Sequence, residues 1–519
     1  MKQQIQSRIP FLVCLSLFLS VFLFTARGYY GGDHFLSYMT AESIVLNHSL
    51  YLMDRWSDVP EIRAHQEMQT RAVTGPDGNR YTIFGIAMPL AMAPFYLVGH
   101  VAARLIPSLP HDMVTMFSVS LTNAVITALT CLVFIAYAAR FGFRNRTAVL
   151  LGIWYGLGTM AWNYSQYSFA EPLALLFILC ALLALHRLCH SAERRLRWAV
   201  LCGLAAGGGL LTEVYSTIFV AVAVSIFVFV WWWQQPIAGK KRDAPALIGY
   251  GLALSGCGVL LLLFNLVRFG VLFSNQRLIG DISWAYPPVA LYNLLFSSGM
   301  SIFAYCPVLF VSLWGLRRFY RQHRAESFLF LGIAVSTTLA LSPWVDAWSG
   351  TSWGPRYSFH LVPLLLLSAG YVLESEGWRR LSVWVKAGLT AVVLFVQAAS
   401  IAVNQGNYRA MIFSGDVVPV QFIPYYSPIV GHWLLILSNV SRLLTGSALT
   451  IQYPNENNGK LGPLVNLANF DRLDFWFVNV TAGGATSGLR VAVWIAAIAM
   501  LVWIAFSGLK LWTWVRDNE

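Results

Sequence analysis

The chain has 519 residues, of which 57% are hydrophobic and only 11% are charged. Many apolar runs approach the roughly 20 residues that cross a bilayer, which excludes a soluble globular protein and predicts an all-α polytopic membrane protein. The net charge of +12 comes from Lys and Arg in loops, where it orients a membrane protein and need not indicate nucleic acid. The seven cysteines are scattered without metal-ligand spacing, so we expect no disulfide framework and no zinc site.

The apolar runs give the order of the predicted membrane helices. They cover residues 9–25, 83–103, 113–139, 147–168, 171–186, 198–212, 215–233, 246–267, 300–316, 327–344, 358–373, 382–402 and 489–513. The basic start followed by a short apolar run is compatible with a signal peptide. No small-residue cleavage site follows it, so we expect the first run to be a retained helix.

Loop charge orients these helices. The four basic loops should face the cytoplasm under the positive-inside rule; they cover residues 140–146, 186–197, 240–243 and 317–324. The first run leaves the cytoplasm, which puts segment 26–82 outside. If 83–103 then crossed back, the next run would emerge outside and all four basic loops would fall on the outer face. We therefore predict that 83–103 is re-entrant or lies on the surface. Gly85, Pro89 and Pro94 disfavour a straight span there. About 12 spans with both termini inside remain; the alternative, in which 83–103 spans and another segment does not, stays open.

The first predicted outer segment, 26–82, carries Gly31-Gly32-Asp33-His34 just beyond the first apolar run. This position places the Asp33 carboxylate at the membrane surface. The apolar spacing after Asp33 predicts an amphipathic helix lying on the membrane. Asp33 would then be either a functional carboxylate or only the cap of that helix.

Ionisable residues cluster at the predicted outer ends of the runs and are scarce near their middles. Transporters coupled to ions usually carry charged groups at the midplane, so this distribution favours a site open to one side of the membrane. The outer-end residues are Asp33, Arg80, Glu171, Glu213, Arg268, Asp346 and Arg356.

Four stretches carry a resemblance to a known family. The first is Gly32-Asp33-His34, and the second is Arg80-Tyr81-Thr82-Ile83-Phe84-Gly85, followed by Pro89-Leu90 and Ala93-Pro94-Phe95-Tyr96. The third is Ala170-Glu171-Pro172. The fourth begins with Asn293-Leu294-Leu295-Phe296 and Tyr305-Cys306-Pro307-Val308, and continues with Trp344 to Trp348 and Trp353-Gly354-Pro355-Arg356-Tyr357. In this order the chain resembles bacterial GT-C integral membrane glycosyltransferases, in the branch of protein mannosyltransferases and the aminoarabinose transferase. The resemblance covers about residues 1–375. His34 departs from it where many relatives have a second acidic residue, and Glu213 departs where many have Lys or Arg.

The resemblance implies a GT-C-like bundle, and the pattern of apolar runs and polar segments predicts three regions. Residues 1–402 would form the catalytic membrane module, with the outer loop 26–82 and a juxtamembrane helix at 83–103. Residues 403–488 would form a small periplasmic segment, either for acceptor recognition or as a structural lid. Residues 489–519 would be the last membrane helix and a cytoplasmic tail.

The implied activity is transfer of a sugar from a polyprenyl-phosphate donor to a hydroxyl of a glycolipid, polysaccharide or protein. It would take place at the outer face of a bacterial inner membrane, among membrane lipids and without nucleic acid. Asp33 would be the base, helped by Glu171, because the attacking hydroxyl needs a carboxylate to take its proton. Arg356 would bind the leaving phosphate, with Arg80 and Arg268 in support. The sugar or acceptor pocket would be lined by His34, Trp348, Trp353, Tyr357 and Glu213.

Each residue also has a structural interpretation. Arg356 and Arg80 would then bind lipid headgroups, Glu171 would stabilise a helix start, and the tryptophans would form an interfacial belt. No metal ligands or cofactor are assigned, although a divalent cation stays open. Two other functions also stay open, an O-antigen-ligase or polymerase type of enzyme and a lipid or glycolipid transporter.

Overall fold

Helices dominate the part of the chain that the computed structural model describes, namely residues 9–28, 34–53, 71–274, 282–345, 352–414, 423–454, 461–482 and 486–517. The α-helices described are Ile9–Phe24, His34–Asn47, Ala87–Leu105, His111–Ser120, Thr122–Ala138, Asn145–Gly158, Met160–Ser165, Glu171–His190, Arg195–Thr212, Val214–Trp233, Ile237–Phe269, Pro287–Phe296, Ile302–Tyr305, Leu309–Gln322, Arg324–Leu341, Leu361–Leu366, Ala369–Leu373, Glu376–Arg380, Val383–Ala402, Gln405–Ser414, Pro428–Thr445, Trp476–Ala482 and Ser487–Asp517. Short 3-10 turns lie at Ala139–Phe141, Arg356–Ser358, Pro424–Tyr426 and Leu467–Asn469.

Seven of the described helical segments are long and apolar enough to cross a bilayer. They are His111–Phe141, Glu171–His190, Val214–Trp233, Ile237–Phe269, Arg324–Leu341, Val383–Ala402 and Ser487–Arg516. Shorter apolar helices cover Phe11–Phe24, Pro287–Phe296 and Leu361–Leu373. The predicted class, an all-α polytopic membrane protein, is confirmed.

Some predicted runs are interrupted or extended. The run 147–168 divides at Thr159, whose hydroxyl accepts a 3.2 Å hydrogen bond from the Ala161 amide and caps the helix Met160–Ser165. The predicted loop 240–243 instead lies inside Ile237–Phe269. The helix continues through this charged stretch because Asp243 pairs with Arg195 and Arg242.

The helix His34–Asn47 is buried on all sides from Phe35 to Ser43, whereas the apolar spacing predicted an amphipathic helix with one face open to water. Phe35, Tyr38, Met39 and Glu42 are all buried, because Ala87–Leu105 and His111–Ser120 pack against it. The hydroxyls of Tyr38 and Thr115 are 2.8 Å apart, and the Tyr96 hydroxyl donates to Glu42 Oε1 at 2.9 Å. The amphipathic interpretation was wrong because it left out these two covering helices.

The helix Ala87–Leu105 is not among the seven candidate spans. It buries Met88, Met92 and Tyr96 on one side and exposes apolar residues on another, namely Leu90, Leu97, Val98, Val101 and Leu105. At its start, a Cβ on Gly85 would collide with the carbonyl oxygen of Thr212, so only glycine allows this approach to the end of the helix Arg195–Thr212. That the helix lies along the membrane stays a prediction.

Two small antiparallel hairpins accompany the helices. Strand Ala72–Thr74 pairs with Arg80–Thr82, with Ala72 opposite Thr82. In the turn between them, Asp77 accepts hydrogen bonds from Tyr81 and Asn79, which lower the pKa of Asp77 below its ordinary value. The second hairpin pairs Thr450–Pro454 with Leu461–Asn466.

The described part of segment 403–488 packs around its own small core and is joined to the first helix. The core includes Tyr408, Met411, Leu435 and Leu467. The join is made at the end of Ile9–Phe24, where buried Arg27 forms an ion pair with Asp474 and donates to Gln166 and to the Val403 carbonyl. The amide of Trp476 also donates to the Ala26 carbonyl at 2.8 Å. The described part of segment 403–488 is therefore fixed to the helical bundle at several points.

Candidate functional site

The structure brings together two residues that the sequence placed in the site, Glu171 and Arg356. The Arg356 Nε lies 2.9 Å from Glu171 Oε1. The Glu171 side chain is 9% exposed and that of Arg356 is 21% exposed. An ion pair this sheltered from water is screened much less than one on an open surface.

Glu171 is presented by a helix start. It is the first residue of Glu171–His190 and is followed by Pro172, which suits the first helical turn because it has no amide hydrogen to satisfy. The preceding chain is fixed by Asn123, whose side-chain amide donates to the Phe169 carbonyl at 2.8 Å. A carboxylate at this position is stabilised by the helix dipole.

Arg356 is presented by a turn that depends on Gly354. This glycine has φ +72°, in the left-handed region. A Cβ there would collide with the sulfur of Met160 and lie 2.9 Å from Cγ of Tyr305. Beside it, the Trp353 carbonyl accepts a 2.9 Å hydrogen bond from the Tyr164 hydroxyl. The turn is therefore held at a fixed distance from the bundle, and Arg356 begins the 3-10 turn that follows.

The guanidinium of Arg356 is oriented on several sides. Its Nη2 donates to the Tyr357 hydroxyl at 2.7 Å, and its central carbon lies 4.9 Å from the Phe169 ring and 4.8 Å from the Tyr357 ring. Burial alone would lower the pKa of Arg356, but Tyr357 and Glu171 raise it above its ordinary value, so the charge is fixed. Within the described residues, Nη1 has no hydrogen-bond partner. An oriented guanidinium with a free donor is suited to a phosphate oxygen.

A small cavity lies beside this turn. Its volume is about 30 Å³, which is room for about two water molecules or one hydroxyl group. Asn293 contributes to its wall and is fully buried, and neither its amide nitrogen nor its oxygen has a partner in the described structure. The cavity is lined by Ala290, Asn293, Leu294, Met300, Thr338, Leu341, Ser342, Pro355 and Ser358. A buried amide without described partners, in a cavity that Pro355 and Ser358 of the Arg356 turn also line, indicates a place for a polar group of a ligand.

Two predicted pocket residues, Tyr357 and Trp353, lie in the same turn as Arg356. Tyr357 stacks on Trp344 with ring centres 5.2 Å apart, besides accepting from Arg356. Trp353 is 1% exposed and packs against Tyr305 and His432, with ring centres 5.0 and 4.8 Å away. Tyr357 is thus at the site, whereas Trp353 supports the turn from within the core.

The described contacts of Arg268 and Glu213 are with groups other than Glu171 and Arg356. Arg268 donates to the Phe84 carbonyl at 2.6 Å and to the Thr82 carbonyl at 3.2 Å, so it holds the loop before Ala87–Leu105. Glu213 is buried at the start of Val214–Trp233 and accepts from the Ser216 hydroxyl at 3.2 Å. Arg80 is exposed on the first hairpin.

Three predicted residues cannot be placed in this site. Asp33 and Trp348 lie outside the described residues. The helix His34–Asn47 begins at His34, but the side chain of His34 is also outside the described part.

Two further residues received no role from the sequence. Phe169 forms one face of the Arg356 environment, and Asn293 lines the cavity. The sequence does contain a signal for Asn293, because burying a side-chain amide in an apolar helix costs free energy unless the amide forms hydrogen bonds. Phe169 gives none, since the chain contains 33 phenylalanines.

No family model and no curated protein matches the chain. Among solved structures it is similar to ArnT from Cupriavidus metallidurans bound to undecaprenyl phosphate, with TM-score 0.49, 13% identity and coverage of 83% of this chain and 72% of that chain. It is also similar to the Archaeoglobus fulgidus oligosaccharyltransferase in the apo form, with TM-score 0.41, 12% identity and coverage of 82% and 63%.

Proposed function

We propose that this protein transfers a sugar from a polyprenyl-phosphate donor to a hydroxyl acceptor at the outer face of the membrane. The observation that carries the proposal is the Arg356 guanidinium, which is oriented by Glu171 and Tyr357 and keeps Nη1 without a hydrogen-bond partner among the described residues. The motifs that resemble GT-C enzymes supply the class of reaction, and the pair supplies a phosphate site. A lipid-linked donor suits a site at the end of membrane helices, because its tail can remain in the bilayer while its head reaches the site.

The proposed reaction is a displacement at the anomeric carbon. The acceptor oxygen forms a bond to that carbon as the bond to the donor phosphate oxygen breaks, and the bonding electron pair leaves with the phosphate. Asp33 accepts the proton of the attacking hydroxyl. Arg356 stabilises the charge that grows on the leaving phosphate, through fixed donors that need little reorganisation.

Glu171 acts through Arg356 in this proposal. Its carboxylate is 2.9 Å from the Arg356 Nε, so it holds the guanidinium in one orientation. This contact gives Glu171 the role of orienting the arginine and leaves Asp33 as the proposed base. Glu171 is therefore a positioning residue, although the sequence suggested it as a helper of Asp33.

The remaining residues have lesser roles. Tyr357 orients Arg356 and offers an aromatic edge to the sugar, and Asn293 accepts or donates one hydrogen bond to it. Arg268 positions the segment of Thr82 and Phe84, which follows Arg80, and so acts on the site indirectly. His34, Trp348 and Glu213 stay proposals for the pocket wall. The loop charges support a bacterial inner membrane location with the site facing the periplasm.

The test uses purified full-length protein in vesicles with labelled polyprenyl-phosphate sugars, pentose and hexose, and a matched polyprenyl-diphosphate oligosaccharide. The proposal predicts turnover of a monophosphate donor by wild type and its loss in Asp33→Asn, with donor binding retained. Unchanged turnover in Asp33→Asn would remove Asp33 as the base. Turnover of the diphosphate donor alone would favour the ligase or polymerase function. Movement of intact lipid across the vesicle without bond cleavage would favour a transporter.

A further inference from the structure

Beyond the proposed reaction, three ionisable side chains meet at the opposite end of the helix that begins with Glu171. His186 and His190 lie in the last turns of Glu171–His190, and Glu326 lies in the first turn of Arg324–Leu341. One donor atom from each residue lies within 4.8 Å of the donor atoms of the other two. The helix rise separates His186 and His190 from Glu171 by roughly 22 to 28 Å, so the cluster is no part of the proposed transfer site.

The bonds around the two histidines favour a ligand. His186 Nδ1 is buried without a hydrogen-bond partner among the described residues, and it lies 3.8 Å from Glu326 Oε1, too far for a hydrogen bond. His190 Nδ1 is 2.9 Å from the backbone oxygen of His186. A carbonyl bond of this kind orients the ring and leaves Nε2 with its lone pair, as is usual for a metal-binding histidine.

The sequence spacing also fits a metal ion. Histidines four residues apart share one face of a helix, and here their rings stack at 4.1 Å. Glu326 supplies a carboxylate to the cluster and offsets part of the positive charge that Arg140 and Arg187 place near His186.

We propose that His186, His190 and Glu326 bind a divalent transition-metal ion, with zinc as the best fit to two imidazoles and one carboxylate. Ligand atoms around tetrahedral zinc lie about 3.4 Å apart, given bonds of about 2.0–2.2 Å. The three donor atoms, which lie within 4.8 Å of one another, would move closer together when the ion binds. The ion would join the helix Glu171–His190 to Arg324–Leu341 at the end predicted to face the cytoplasm. The expectation of no zinc site came from cysteine spacing and did not consider these histidines.

The experiment measures zinc binding to full-length protein purified without a polyhistidine tag. Chelated protein is titrated with zinc alone, and bound metal is measured by elemental analysis after dialysis. The variants are His190→Gln, which removes an exposed ligand, and Glu326→Gln. The control is His111→Gln, which disrupts the other close histidine pair, since His111 Nε2 lies 2.9 Å from His100 Nδ1.

We expect wild type to bind about one zinc ion per chain and to melt at a higher temperature with zinc. We expect His190→Gln and Glu326→Gln to weaken binding at least about tenfold and to lose the thermal shift, while His111→Gln binds like wild type. Absence of binding in wild type would overturn the proposal. So would normal binding in both variants, or loss in His111→Gln alone.

Discussion

The Nε of Arg356 lies 2.9 Å from Oε1 of Glu171, so the turn after Gly354 is joined to the start of the helix Glu171–His190. Both residues were assigned to the site from sequence, one as a phosphate ligand and the other as a helper of the base. Their contact indicates that they act as a unit. The carboxylate sets the direction of the guanidinium, and the guanidinium supplies the charge.

A unit of this kind should show coupling between substitutions. We expect Arg356→Gln to reduce turnover about 100-fold or more, the loss typical of removing a transition-state donor. We expect Glu171→Gln to reduce turnover about tenfold, because the arginine remains but is less well oriented. The double variant should be no worse than Arg356→Gln alone, since Glu171 then has nothing to orient. Steady-state turnover of the labelled donor gives all three values.

The matched control is Arg380→Gln. Arg380 and Glu376 are also 2.9 Å apart, but their side chains are 81% and 82% exposed, so the pair contributes little. This variant should keep wild-type turnover. Strictly multiplicative losses in the double variant would contradict the coupling of Glu171 to Arg356.

The turn at Gly354 gives a second prediction. Gly354→Ala should reduce turnover strongly, because its Cβ would collide with Met160 and displace Arg356. Gly446 has a similar φ of +77° but nothing within 4 Å of its Cβ position. Gly446→Ala should therefore lower the free energy of unfolding only by its backbone strain, about 1 kcal/mol, and keep wild-type turnover. Equal losses in the two variants would mean that the close approach at Gly354 does not position Arg356.

Replacing Asn293 in the cavity should change thermal stability and turnover in opposite directions. Asn293→Leu removes a buried amide that has no partner in the described structure, so we expect unchanged or higher thermal stability. If the amide binds the donor or acceptor, turnover should fall at least about tenfold. Asn123→Leu is the comparison, because the Asn123 amide donates to the Phe169 carbonyl and its loss should cost about 1–3 kcal/mol. Full turnover in Asn293→Leu would show that this cavity plays no part in transfer.

The join between segment 403–488 and the first helix predicts a loss of stability. Asp474→Asn leaves the charge of Arg27 buried without its carboxylate, and breaking a buried ion pair costs about 3–5 kcal/mol. Thermal unfolding should occur at a lower temperature, and proteases should cut segment 403–488 faster. The exposed Glu376→Gln should change neither. An unaltered unfolding temperature in Asp474→Asn would mean that the join does not stabilise the fold.

Composition was enough to predict the membrane class, because apolar runs of about 20 residues are rare outside membrane-spanning helices. Hydropathy was less able to predict helix bounds. It missed the interruption at Thr159, which depends on a side-chain cap, and it treated 240–243 as a loop, although Asp243 pairs with Arg195 from another helix. It also could not show that His34–Asn47 is covered by neighbouring helices.

Part of the candidate site was also predictable from the sequence. Glu171 and Arg356 stood out because they lie at predicted outer ends of apolar runs and within the motifs that carry the resemblance. Their contact was not predictable, because it depends on how separate segments pack. Arg268 had the same sequence signal as Arg356, yet its guanidinium donates to the Thr82 and Phe84 carbonyls. Charge alone does not distinguish an arginine that binds a ligand from one that holds a loop.

The most direct test of the central claim is binding of unlabelled polyprenyl phosphate, the proposed leaving group, to wild type, Arg356→Lys, Arg356→Gln and Arg380→Gln. We predict that Arg356→Gln weakens binding at least about tenfold and that Arg356→Lys recovers only part of it, since lysine keeps the charge but not the planar fork. Arg380→Gln should bind as wild type does. Equal binding by all four proteins would contradict the assignment of Arg356 as the phosphate ligand.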